Sequence, residues 1–310
     1  VNKKICIGIP AYNEEDNIPV LYQELVKIFK DFPRYDFEIL FIDNCSKDSS
    51  QEVIKKLSLS DQRVKAIFNL SNFGTVRSPV HCLISSTADA TIMMSCDMQD
   101  PPELIPKFIA EWERGERVVV GIKSSSEENF LKYKLRQLYY NLLSKLSEVK
   151  LLKQFTGFGL YDKSVVEQIK NSLDPYPYLR GLISELGYVP KTIEFRQPSR
   201  LHGKTKNNWF VLFDYALLGF VSHTKAPLRA AILLGGLISG VSLLVAFIYF
   251  VLKLLNWDEF KVGMAPLVIG LFFFSSVQLI FLGVIGEYVG AILTNLKRRP
   301  LVIEKERINF

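Results

Sequence analysis

The chain opens with Ile5-Cys6-Ile7-Gly8-Ile9-Pro10-Ala11-Tyr12-Asn13-Glu14-Glu15, followed by an amphipathic stretch from Asn17 to Lys30. A short apolar run, a polar break and a helical period form the first half of a βαβ unit. The rhythm repeats. Apolar runs at Phe37 to Ile42, Val64 to Phe68, Thr91 to Met94 and Val118 to Ile122 read as strands, with helical patterns near Ser49 to Leu59, Val76 to Ser86 and Glu103 to Glu113 between them. Such alternation predicts a doubly wound, mostly parallel α/β sheet. Ligands of these sheets sit beyond the carboxyl ends of the strands. The segments expected there are Pro10 to Glu15, Asp43 to Asp48, Asn69 to Gly74, Ser95 to Pro102 and Lys123 to Ser126, all rich in Asn, Asp, Ser or Glu.

Outside this region the apolar residues concentrate near the end of the chain. With 310 residues, 38 Lys+Arg against 32 Asp+Glu and 48% hydrophobic residues, the mean hydropathy is +0.15. That is too apolar for an ordinary soluble protein and too polar for a polytopic channel, and it excludes disordered, collagenous and disulfide scaffolds. Between Arg229 and Lys253 about 23 residues carry no charge, and from Ala265 to Gly286 about 22 more. At 1.5 Å per residue each can cross a ~30 Å hydrocarbon core, so two transmembrane helices are expected. Lys225 and Arg229 precede the first, Lys297, Arg298 and Arg299 follow the second, and the link from Asn256 to Gly263 carries Asp258, Glu259 and Lys261. By the positive-inside rule both ends face the cytoplasm. Nothing before Lys225 reads as a span or signal peptide, so the first ~225 residues are expected to stay cytoplasmic. There Cys6, Cys45, Cys82 and Cys96 read as reduced, small buried residues.

The remaining segments are less regular. Phe130 to Leu146 is helical in pattern, Thr156 to Tyr161 is glycine-bearing, and short elements continue to Phe195. Trp209 to Val221 is apolar nearly all round with Asp214 as its one charge, which reads as a helix lying on the bilayer surface. The expected organisation is a folded cytoplasmic domain over 1–206, an interfacial helix over 207–226, a two-helix membrane domain over 227–296 and a cytoplasmic tail over 297–310.

Three strand-end motifs stand in order: Pro10-Ala11-Tyr12-Asn13-Glu14-Glu15, Ile42-Asp43-Asn44-Cys45-Ser46-Lys47-Asp48, and Cys96-Asp97-Met98-Gln99-Asp100-Pro101-Pro102-Glu103. Together they resemble the family 2 glycosyltransferases of the GT-A fold. Asn69-Leu70-Ser71-Asn72-Phe73-Gly74, Arg200-Leu201-His202-Gly203-Lys204-Thr205-Lys206 and Ile285-Gly286-Glu287-Tyr288 narrow the likeness to the branch that glycosylates polyprenyl phosphate, dolichyl-phosphate mannose synthases and bacterial undecaprenyl-phosphate glucosyltransferases included. The likeness covers nearly the whole chain. It implies inverting transfer of a sugar from a nucleotide diphosphate donor, UDP-glucose-like, to undecaprenyl or another polyprenyl phosphate at the inner membrane, for cell-envelope glycosylation. It also implies a homo-oligomer, a tetramer in relatives, and no nucleic-acid partner.

Carried onto these positions, the resemblance assigns Asp43 and Asn44 to the nucleotide's imide, amino and hydroxyl groups. Pro10, Tyr12, Asn13 and Glu14 form the other wall, with Asn72, Gly74 and Lys123 completing the nucleotide-sugar site. Asn13, Glu14 and Asp16 also fit as caps of the following helix. A diphosphate calls for a hard cation, so Mg2+ or Mn2+ is expected on Asp97 and Gln99. Relatives usually carry an acidic residue two places before Asp97, where this chain has Ser95. Close relatives also carry an Asp proposed as a base after the first glycine of Thr156-Gly157-Phe158-Gly159, where this chain has Phe158. The acceptor phosphate, with a second pKa near 6, is already largely a dianion at neutral pH. Asp97, Asp100, Arg200 and Lys206 are the expected catalytic residues, with Asp162 and Glu185 as further candidates for an assisting carboxylate. Arg180, Arg200, Lys204, Thr205 and Lys206 are expected to hold the acceptor phosphate. The basic loop fits equally as a contact for anionic headgroups. A processive polysaccharide synthase normally carries a Gln-x-x-Arg-Trp motif that is absent here, whereas an inactive nucleotide-sugar-binding scaffold is consistent with Ser95 and Phe158.

Overall fold

The computed structural model describes residues 2–125, 155–172, 177, 179–198, 226–255, 264–296 and 300–310. The expected alternation is present: β1 (Lys3–Ala11), α1 (Asn17–Lys30), β2 (Tyr35–Asp43), α2 (Ser50–Ser60), β3 (Val64–Asn69), α3 (Gly74–Ser85), β4 (Ala90–Met93), α4 (Ile105–Glu113) and β5 (Val118–Ser125). Three further strands follow, β6 (Phe155–Asp162), β7 (Lys191–Arg196) and β8 (Glu304–Ile308), with α5 (Lys163–Asn171) and α6 (Leu179–Glu185) before β7. The long helices α7 (Ala226–Leu255) and α8 (Met264–Leu296) precede β8.

All eight strands join one sheet in the order β7-β5-β6-β4-β1-β2-β3-β8. The central strands β3, β2, β1 and β4 are mutually parallel. β6 runs antiparallel to both β4 and β5, and β8 antiparallel to β3. The sheet is therefore mixed but mostly parallel.

Strand alternation sorts the core into two layers. On β1 and β2, Ile5, Ile7, Ile9, Phe37, Ile39 and Phe41 face α1 and α4, where Leu21, Leu25 and Phe108 meet them. Cys6, Leu40 and Ile42 point the other way, toward Leu83 of α3 and Val165 and Ile169 of α5. A parallel sheet buried on both faces needs such uninterrupted apolar strands. Cys6, Cys82 and Cys96 are buried as expected, but Cys45 is only half-buried and left-handed (φ 62°), because it lies in the turn after β2.

Within the stretch read as a tail, Glu304–Ile308 forms the edge strand of this sheet. Ala66 pairs with Ile308 and Phe68 with Glu306, and the Leu70 amide donates to the Ile303 carbonyl at 2.8 Å. Lys55 of α2 meets Glu306 at 2.6 Å, and Asn309 donates to the Ser58 and Val64 carbonyls at 2.7 and 2.9 Å. Arg77 of α3 donates to the Pro300 carbonyl at 2.6 Å. Leu301 and Val302 pack on Val80.

Within α8, Phe273–Gly290 is long and apolar enough to cross a bilayer and none of it is buried inside the protein. In α7 the corresponding apolar stretch, Ala231–Ser242, is shorter. The expected interfacial helix and the helical pattern from Phe130 to Leu146 lie outside the described residues.

Candidate active site

β1 and β2 end together, Ala11 level with Asp43, and Asp43 is level with Phe68 near the end of β3. Met93, the last residue of β4, is level with Gly8, so Asp97 follows only four residues beyond a point three short of Ala11. The sheet thus brings Tyr12, Asp43, Asn72 and Asp97 to a single edge. β5 runs parallel to β4, with β6 between, and delivers Lys123 to that edge beside Phe195.

The loops at this edge hold one another. The Asn13 amide donates to Ser46 Oγ at 2.8 Å, and Asn13 Oδ1 accepts from the Lys47 amide at 2.7 Å. The Glu14 amide donates to Ser50 Oγ at 2.8 Å, while Ser50 Oγ donates to Asp48 at 2.6 Å. Glu14 also accepts from Asn17 at 2.6 Å. The Glu14 carbonyl accepts from the Asn17 and Ile18 amides at 3.0 Å, but no side chain caps α1, so the helix-cap reading of Asn13, Glu14 and Asp16 is not met by their side chains; the Asn13 side chain ties the first loop to the second. Pro10 pairs with Ile42 within the sheet.

Asp43 is fully buried; its Oδ2 accepts from the Ser46 amide at 3.0 Å and from Gln51 at 2.8 Å, but its Oδ1 has no hydrogen-bond partner. A buried carboxylate oxygen left unpaired is costly. Donor groups of a ligand at the strand ends would remove that cost.

Asn44 behaves differently. Its Nδ2 donates to Asn72 Oδ1 at 2.9 Å and to the Gly74 carbonyl at 3.2 Å, and its Oδ1 accepts from Asn69 at 3.1 Å and the Phe73 amide at 2.9 Å. These four bonds fill the capacity of an amide. Asn44 therefore positions the loop after β3 rather than offering itself to a nucleotide. Gly74 takes φ 81° at the start of α3, a conformation that side-chain-bearing residues rarely adopt, and its amide donates to Asn72 at 2.9 Å.

After β4 the chain turns sharply. Met98 is left-handed at φ 61°, and the Gln99 amide donates to Asp97 Oδ1 at 3.2 Å. Asp97 and Gln99 are half-buried, whereas Asp100 is buried and accepts from the Ser95 amide at 2.8 Å. Burial pushes the Asp100 carboxyl up, opposed by the hydrogen bonds from Ser95 and by Lys123 and aided by the charge of Asp97. Asp100 thus braces the turn that carries Asp97. Among the described residues no group of three or more His, Cys, Asp or Glu could hold a metal ion. One carboxylate and one amide fit Mg2+, which is commonly held by one or two carboxylates together with substrate phosphates and water.

The other candidates separate cleanly. Phe158 is a core residue, its ring 4.9 Å from that of Phe108 and 5.7 Å from that of Phe195. Gly121 makes the room, since a Cβ there would lie 2.9 Å from the Phe158 ring. Beside it β6 bulges, with Val120 opposite Gly159 and Ile122 opposite Phe155. Gly157 takes φ 105° within the bulge, and the buried Tyr161 hydroxyl donates to its carbonyl at 3.0 Å. Asp162 lies at the opposite sheet edge, level with Ala90 at the start of β4, where it caps α5 and accepts from Trp112 at 2.9 Å. Glu185 ends α6, and the chain then enters β7 at Lys191, level with Val119 near the start of β5 and again toward that far edge. Neither is at the strand-end site. Arg180 lies on α6, and Arg200, Lys204, Thr205 and Lys206 fall outside the described residues. Gln51 and Ser78, which lie outside the strand-end motifs, complete the Asp43 and Asn44 networks; Asn69 donates to Ser78 at 3.2 Å.

A mostly parallel sheet with strand order 3-2-1-4, covered by helices on both faces and gathering carboxylates and amides at its strand ends, is a GT-A-like arrangement of the nucleotide-binding class. The fold is similar to that of the glucosyl-3-phosphoglycerate synthase from Mycobacterium tuberculosis, with a TM-score of 0.51 at 12% identity over 71% of this chain and 79% of that one. Residues 6–170 match the family described as Glycosyl transferase family 2, and the chain belongs to that family. It is 33% identical to a prophage bactoprenol glucosyl transferase homolog of Escherichia coli (strain K12), over 97% of this chain and 98% of that one. It is 32% identical to the bactoprenol glucosyl transferase of Shigella phage SfX, over 98% and 99%. These full-length likenesses agree with the branch read from the sequence motifs.

Proposed function

We propose that the protein transfers a sugar from a nucleotide diphosphate donor, UDP-glucose or a close analogue, to a polyprenyl phosphate, with inversion at the anomeric carbon. The observation that carries this is the position of β8. The helix bearing the membrane-length stretch ends at Leu296, and only seven residues later Ile303 is bonded to Leu70 at the end of β3. Seven residues reach at most about 25 Å. The donor edge of the sheet is therefore tethered close to the end of that helix, within reach of a lipid carrying its phosphate in the headgroup layer. Full-length relatives named for bactoprenol support the same acceptor class.

In this reading α7 and α8 both cross the bilayer, with the sheet and both chain ends on the cytoplasmic side of the cell membrane. Asp97 and Gln99 would hold Mg2+ or Mn2+ together with the donor diphosphate, and the ion would supply charge neutralisation for the leaving group. Asp43 accepts from the nucleoside, and the Asn13 and Asn44 networks hold the walls around it. An acceptor phosphate oxygen forms the new bond to the anomeric carbon as the bond to the diphosphate breaks, and the nucleoside diphosphate departs with that electron pair. A phosphate dianion needs no proton removed, so Phe158 in the place of a carboxylate is compatible with turnover. Positioning and charge screening then carry the rate, with Arg200, Lys204, Thr205 and Lys206, and Arg180, as acceptor-phosphate ligands. A homo-oligomer, tetrameric as in relatives of the branch, belongs to the same proposal.

The test is a screen of nucleotide-sugars against undecaprenyl phosphate in detergent. A labelled lipid product with one donor, requiring divalent cation, is expected. Donor binding with no lipid product from any nucleotide-sugar would overturn the assignment.

A further inference from the structure

We propose that the β3–β8 corner is itself a membrane-contact surface, in which Leu70 and Ile303 insert into the headgroup layer of an anionic bilayer. The inference rests on the reading above that α8 crosses the membrane. Leu70 is 57% exposed and Ile303 51% exposed, and the Leu70 amide bonds to the Ile303 carbonyl, so two large apolar side chains stand next to each other in water. Leu70 follows β3 at the strand-end edge, and Ile303 lies on the segment that follows α8.

Among the described residues outside α7 and α8, the other exposed large apolar side chains are Leu59, Val189 and Phe310. Leu59 ends α2 and Val189 precedes β7, which places both toward the far edge of the sheet. Phe310 is covered by cations, with Arg307 4.7 Å and Lys65 5.4 Å from its ring. Leu70 and Ile303, by contrast, are joined through the backbone at the strand-end edge.

Reach and charge choose a bilayer as the occupant. From Gly290, where the membrane-length stretch ends, six helical residues and seven more at full extension give at most about 34 Å to Ile303. Lys297, Arg298 and Arg299 lie within that link, and the exposed Lys305 follows two residues after Ile303. A chain segment with three basic residues shortly before Ile303 and an exposed lysine shortly after it suits an anionic headgroup layer. Arg77 is committed to the Pro300 carbonyl and lies over the Phe73 ring at 5.2 Å, which stiffens the corner. Membrane contact there would fix the loop that carries Asn72 relative to the headgroups.

Leu70→Cys, Ile303→Cys, Leu59→Cys and Val189→Cys, each labelled with bimane in the full chain, are reconstituted in nanodiscs of phosphatidylcholine with a minor share of phosphatidylglycerol. Label on the parent Cys45 provides the blank. With brominated acyl chains, quenching at 70 and 303 is expected to exceed that at 59 and 189 several-fold and to fall when phosphatidylglycerol is left out. Equal quenching at all four positions overturns the surface, as does quenching at 303 alone. Shielding of 70 and 303 from water without lipid quenching also overturns it, because a second copy of the chain then covers the corner. Recovery of the chain in the nanodisc fraction, resistant to an alkaline wash, separates the two readings. A chain that stays with the disc while 70 and 303 remain in water refutes the surface alone, and a chain that leaves the disc refutes the membrane reading as well.

Discussion

The two edges of the sheet use the same kinds of residue to opposite ends. At the edge where the parallel strands start, carboxylates are held by protein donors. Asp61 receives Arg63 at 2.7 Å and the Tyr22 hydroxyl at 2.9 Å, Asp89 accepts from the Lys4 amide at 2.8 Å, and Asp162 holds Trp112 and Ser164. At the edge where they end, Asp43 keeps a buried oxygen unpaired and Asp100 is buried with its carboxyl pushed up. Three of the four left-handed non-glycine residues among those described, Asn13, Cys45 and Met98, are also there. Backbone in that region costs on the order of 1 kcal/mol or more per residue. One edge is built for stability, while the other holds left-handed backbone and an unpaired carboxylate oxygen that ligand donors can satisfy.

The largest effect that can break this contrast is on catalysis. Asp97→Ala is expected to lower turnover by about 100-fold or more, roughly 2.7 kcal/mol of barrier, with an unchanged melting temperature. Retention of more than about a tenth of the rate removes Asp97 from the metal role. Next comes Asn44→Ala, which strands the Phe73 amide and the side chains of Asn69 and Asn72. A loss of about 2–3 kcal/mol in urea unfolding is expected, accompanied by a higher KM for donor. Asp61→Ala at the other edge should cost about 1 kcal/mol, because Arg63 is half-exposed and its ion pair is screened, with no change in KM. If the two truncations cost the same and neither moves KM, the edges do not differ in the way described.

Asp43→Asn sharpens the comparison without removing bulk. Gln51 and the Ser46 amide can still find an acceptor, so stability should change little while the KM for donor rises about tenfold, near 1.4 kcal/mol. An unchanged KM would show that the unpaired oxygen does not face the donor.

The smallest effects are in pH dependence, and they should have opposite signs. Arg63 lowers the Asp61 carboxyl to about 2, against its partial burial, so Asp61 contributes stability above the unfolded value near 4 that is lost as pH falls through about 2. Burial raises Asp100, so the folded state prefers its protonated form, and stability falls as pH rises from about 4 through the raised value. Unfolding free energies across this range should lose the acid-side decline in Asp61→Asn and the decline with rising pH in Asp100→Asn.

The same contrast explains what could be read from the sequence. β1 to β5 and α1 to α4 were legible because buried parallel strands are continuous apolar runs and their helices carry one apolar face. β6 was hidden by Gly157 and Gly159, which serve the bulge and the close approach to Val119, where a Cβ on Gly159 would lie 2.5 Å from the carbonyl oxygen. β7 alternates polar and apolar residues over only six positions. β8, Glu-Lys-Glu-Arg-Ile, shows no hydrophobic signal because it is an edge strand held by ladder bonds and ion pairs. At the site, the motifs located Asp43, Asn44, Asp97 and Gln99 at the strand ends, but they could not divide ligand-facing groups from bracing ones. Asn44 and Asp100 look like ligands in one dimension, and only their hydrogen-bond partners reveal them as supports. Phe158 looked like a lost base, yet the room left by Gly121 makes it part of the core.

Hydrogen exchange on the full chain in detergent, with and without UDP and with GDP in parallel, tests the distinction between the edges most directly. Bound nucleotide is expected to slow exchange in the loops after β1, β2, β3 and β4, around Tyr12, Cys45, Asn72 and Met98, while the turns at Asp61 and Asp162 stay as they were. Protection concentrated around Asp61 and Asp162, or spread evenly over both edges, would contradict it.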